Sequence, residues 1–106
     1  MEVHLAPGQP ARLTEPTDLR RFSVVVAATS EALPALAEAL RGVVEFEGTE
    51  HAWVSVDWLI LASDRADWAD WRGEFANMVQ YAAGKGWVRR DPDAIRGHVT
   101  WQAGAG

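Results

Sequence analysis

The sequence contains no cysteine. That excludes disulfides, thiolate catalysis and cysteine-bound zinc, and it suits a reducing cytoplasm, the location expected. Lysine is almost as scarce: nine of the ten basic residues are Arg, and Lys85 stands alone. Together with abundant Ala and Gly, this usage points to a GC-rich bacterial source. Clustered positive charge is missing too. Net charge is −5, and no basic run exceeds the pairs Arg20-Arg21 and Arg89-Arg90. Phosphate backbones are held through many cationic contacts, so a nucleic-acid partner is not expected.

Long apolar runs are absent as well. The longest, Trp58 to Ala62, falls far short of the roughly 20 residues of a membrane span, so no membrane association is expected. Glu2, His4, Pro7 and Pro10 interrupt the first ten residues, which therefore do not read as a signal peptide. No glycine-rich phosphate loop follows the first strong strand, where Ala27-Ala28-Thr29-Ser30 stands instead. Ser23 and Ser55 lack a nucleophile-elbow context. No cofactor is expected.

What is present describes one soluble domain. Its 106 residues, 48% hydrophobic and 24% charged, can bury a single core without staples. Residues 1–19 are poorly patterned. Val3 and Leu5 could form a short strand, but Pro7-Gly8, Pro10 and Glu15-Pro16 favour an arm or loop. The domain proper is expected over 20–102, with 103–106 as a flexible tail.

Phe22 to Ala28 is β-rich and nearly all apolar, as in a central strand. Thr29 and Ser30 offer cap oxygens to a helix ending near Arg41, whose stripe is Leu33, Leu36, Ala37 and Leu40. Val43 to Glu47 is a short strand, and Gly48-Thr49-Glu50 turns it into a hairpin with the next segment. That segment, His51 to Ala62, alternates over its first seven residues. Ala52, Val54 and Val56 share one face; His51, Trp53, Ser55 and Asp57 share the other. Twelve extended residues would span about 40 Å, so a bulge or bend is expected near Asp57-Trp58. Ser63-Asp64 then caps a second helix running to about Ala83. Its apolar positions Trp68, Trp71, Phe75, Met78 or Val79, and Ala82 read as core rather than as a cofactor pocket. Trp87 to Gln102 forms a second hairpin, with His98 and Thr100 alternating against Val99 and Trp101.

The order strand, helix, strand, strand, helix, strand, with an extra C-terminal strand, predicts an α+β domain of the ferredoxin-like split βαβ type. Two helices would cover one face of an antiparallel sheet and leave the other open. His51, Trp53, Ser55 and Asp57 are the expected binding surface on that open face. His51, Asp57 and His98 are the candidate catalytic groups. His51 and Asp57, six residues apart on one strand, would lie about 20 Å apart, so a proton-transfer pair requires His98 from a neighbouring strand. The same three side chains lack the local spacing of a metal site, and none is expected. An exposed apolar and aromatic face invites a cover. The leading expectation is therefore a non-catalytic domain that binds a protein, most simply a second copy in a homodimer. The alternatives are a dimeric enzyme or binding protein for a small apolar or aromatic molecule, and an acidic, immunity- or antitoxin-like inhibitor of a basic partner.

Overall fold

The first five residues, Met1-Glu-Val-His-Leu5, alternate apolar with polar, and in the computed structural model they form the strand that alternation implies. Residues 1–102 are described. Strand β1 is Glu2–Leu5 and β2 is Arg12–Thr14, paired antiparallel. Met1, Val3 and Leu5 are buried. The N-terminal segment, expected as an arm or loop, thus supplies two strands of the sheet. Pro7, Pro10 and Pro16 all fall outside those strands, so they punctuate the segment without breaking it. The tail expected at 103–106 lies outside the described residues.

The remaining elements are β3 (Ser23–Val26), a 3₁₀ turn at Ser30–Ala32, α1 (Leu33–Ala39), β4 (Val44–Glu47), β5 (His51–Ser55), α2 (Val56–Ala62), α3 (Ala69–Gly84), β6 (Val88–Arg89) and β7 (Ala94–Trp101). The class is α+β as expected, with three α-helices and a seven-stranded sheet in the order β2-β1-β3-β7-β5-β4, with β6 beside β7.

That sheet is mixed. β3 runs parallel to both neighbours, β1 and β7, while β1–β2, β4–β5, β5–β7 and β6–β7 are antiparallel. β3 and β4, joined through α1, have two strands between them, β7 and β5, where a split βαβ arrangement has one. These pairings replace the antiparallel ferredoxin-like sheet expected from the element order. The apolar run Val24-Val25-Val26 suits a strand flanked by parallel partners on both edges.

The second correction is α2. Residues 56–62 were expected to continue a long bent strand, but the extended backbone stops at Ser55. The Ser55 hydroxyl accepts a hydrogen bond from the Trp58 amide at 3.1 Å and caps the helix. Asp57 lies in the first turn, where the helix dipole favours a carboxylate. Val56, Leu59 and Ser63 are buried at helical spacing. The helix expected from Ser63-Asp64 onward begins only at Ala69, as α3, and α2 precedes it as a separate short helix. Within α3 the expected stripe is right: Trp71, Phe75 and Ala82 are buried, and the Trp71 indole stacks on Phe75 at 4.9 Å. Trp68, expected in the core, is 58% exposed beneath the Arg65 guanidinium.

One cluster forms the core. Val3, Val24, Val26, Ala52, Val54, Ile95 and Val99 from one sheet face meet Leu36, Leu40, Leu59, Trp71, Phe75 and Ala82 from the helices. The helices thus share a single face, and the other face of the sheet carries half-buried and exposed side chains apart from the buried Ala94.

Candidate functional site

β7 is bonded along one edge to β5 over residues 94–98. Its other edge pairs with β3 from residue 98 onward and with β6 at residues 94 and 95. Between those partners, at Arg96 and Gly97, the sheet edge opens into a notch. The Trp87 carbonyl reaches across one end to accept from the Arg96 amide at 2.8 Å. Phe22 closes the other, its ring packed against Gly97 where a side chain would stand.

A cavity of about 350 Å³ fills this notch, within the roughly 300–1,000 Å³ of small-molecule pockets. Residues of both sheet faces line it, Ile95 and Met78 from the core side and His51 and His98 from the open side. Phe22, Met78, Tyr81, Trp87 and Ile95 give it an apolar and aromatic wall. Tyr81 is 65% exposed and Trp87 41%, so two large rings stand at the mouth rather than in the core.

The permanent charges of the lining are all Arg. Arg20, Arg21, Arg96, His51 and His98 border the cavity, and no Asp or Glu does. Arg96 is already engaged, donating from Nη2 at 2.6 Å and from Nε at 3.1 Å to Glu47. The Glu47 carboxylate also accepts from the Trp53 indole at 2.8 Å. That hydrogen bond first, and those of Arg96 second, hold the Glu47 carboxyl below the ordinary glutamate range. Arg20 and Arg21 are exposed and, among the described residues, make no ion pair.

The residues singled out from sequence are divided by the fold. His51 and His98 are cross-strand partners, their rings edge to face with centroids 5.6 Å apart, and both line the notch. Trp53 and Ser55 share the open face with them, as the alternation predicts, but line a separate hollow of about 450 Å³ beside α1 and Arg89. Ser55 is occupied as a helix cap. Asp57, on α2, is exposed and is brought to neither histidine's hydrogen-bonding reach. Among the described residues, no three His, Asp or Glu side chains gather as metal ligands. Among the described residues, no carboxylate is hydrogen-bonded to either of the two imidazoles.

Sequence reasoning missed Arg20, Arg21, Phe22, Tyr81 and Trp87 as one site. The signals were present, an Arg pair before a strand and a Trp after a Gly-rich helix stop, but nothing in the sequence states that β3 and β6 share an edge of β7. Comparison with models of known protein families, with curated proteins and with solved structures finds no match to this chain.

Proposed function

We propose that this chain is a small binding domain, not a catalyst, that holds a small apolar or aromatic molecule in the notch of β7. The carrying observation is the cavity itself: an aromatic-walled hollow at the edge of β7, with His51 and His98 in its lining. Apolar walls with a few placed polar groups are the usual make-up of a small-molecule pocket. Mapping amide chemical shifts during titration with indole and with 2-naphthol tests this. Shifts confined to Phe22, Met78, Tyr81, Trp87 and Gly97 support the reading; absent or scattered shifts overturn it.

A second reading keeps a protein partner, namely another copy of the chain on the open sheet face. It is favoured by the mixed charge of that face, where Arg89 pairs with Glu45, and Arg96 with Glu47, around the half-buried Trp53. A twofold interface sets the same patch of both copies against each other, and a patch holding both signs of charge avoids like-charge repulsion there. Light scattering at tens of micromolar should then report a dimer, and Trp53→Ala should weaken assembly more than folding; a monomer removes this reading. Arg in place of Lys and abundant Ala and Gly support a bacterial source for either, and the lack of cysteine supports a cytoplasmic setting.

A further inference from the structure

We infer that the notch of β7 takes an aromatic carboxylate, with Arg20 and Arg21 as the residues that recognise its charge. This rests on the binding-domain reading above and adds the chemical class of the ligand. The chain as a whole is acidic, with 15 Asp and Glu against 10 Lys and Arg. The cavity lining departs from that balance entirely, holding three Arg and two His and no carboxylate.

These five groups are not equivalent. The charge of Arg96 is matched by Glu47, which holds its guanidinium through two hydrogen bonds. Arg20 and Arg21 have no such partner among the described residues. They immediately precede Phe22, whose ring rests on Gly97, so both cations start next to the aromatic wall. A guanidinium presents a planar fork of donors that matches a carboxylate in bidentate fashion. Phe22, Tyr81 and Trp87 suit the flat apolar body of the same molecule through stacked and edge-to-face contacts. A ligand with one ring system and one carboxylate satisfies both halves of the lining. A neutral aromatic satisfies only the first.

The test pairs 2-naphthoate with its uncharged isostere 2-naphthamide, titrated into the full chain and into an Arg20→Gln/Arg21→Gln variant. Amide chemical shifts report both affinity and folding. The expected result is that 2-naphthoate binds the native chain about ten- to a hundredfold more tightly than 2-naphthamide, the range of one or two charge-assisted hydrogen bonds. In the variant, with its spectrum otherwise preserved, the two compounds should bind alike. Equal affinities in the native chain would overturn the carboxylate assignment while leaving the binding-domain reading in place. A preference for 2-naphthoate that survives in the variant would overturn the role of Arg20 and Arg21. If neither compound binds, both this inference and the reading beneath it fail. Arg12→Gln, on the far strand β2, should leave both affinities unchanged.

Discussion

Glu47 gathers three donors: the Trp53 indole and two nitrogens of Arg96. Its carboxyl is held below the ordinary range, so its contribution to stability is complete above the unfolded glutamate value of about 4.3 and is lost as pH falls through the lower folded value. The side chain lies at the surface, where solvent screens the effect, so the titration midpoint is the sharper readout. Carboxyl NMR should place the Glu47 midpoint below the ordinary glutamate range, and Trp53→Phe should raise it by removing the indole N–H. A native midpoint in the ordinary range would show that the bond does not persist in solution. Gly97 is the second telling residue. A Cβ there would stand 2.7 Å from the Phe22 ring, so Gly97→Ala has to shift that ring. The expected cost is about 1–3 kcal/mol by denaturant unfolding, the usual range for overpacking, with a changed Phe22 environment. At this scale the sequence was a good guide only to faces: it put His51, Trp53 and Ser55 on one side of a strand, as they are. It could not show that Ser55 is a cap, or that Gly97 matters because of what lies above it.

Among elements, α2 separates what periodicity can and cannot decide. Seven residues rich in Val, Trp, Ile and Leu carry strand propensity, and the unbroken apolar run after Asp57 hides the helical spacing of Val56 and Leu59. Ser55 followed by Asp57 was the helix-start signal, and alternation inherited from β5 masked it. Ser55→Ala should therefore destabilise the domain by about 0.5–2 kcal/mol, the usual range for losing an N-cap, as read by thermal unfolding. An unchanged midpoint would mean that core packing of Val56 and Leu59 holds α2 without its cap. α3 was legible because its stripe is interrupted by polar residues. Trp71 anchors it twice, stacking on Phe75 and donating from its indole to the Pro16 carbonyl at 2.8 Å. That second bond ties α3 to the loop behind β2, so one side chain links sequence regions 55 residues apart.

At the scale of the molecule, what the sequence left open was strand order. Local pattern says which segments are strands, while their neighbours depend on long-range packing that a single chain does not write down. Insertion of β7 between β3 and β5 makes the notch, and addition of β1 on the far side of β3 completes the core. The N-terminus is therefore structural. Leu5 is 2% exposed, and β1 bonds to β3 over Glu2–Leu5. Leu5→Ala should cost about 2–5 kcal/mol, the range for a buried leucine emptied of three carbons. In a domain of this size each kcal/mol lowers the midpoint by roughly 4–8 °C. Leu61→Ala provides the comparison, since Leu61 is 76% exposed and its loss should stay within about 0.5 kcal/mol. Were residues 1–5 a dispensable arm, the two variants would unfold together; a sheet completed by β1 requires them to separate by at least several degrees.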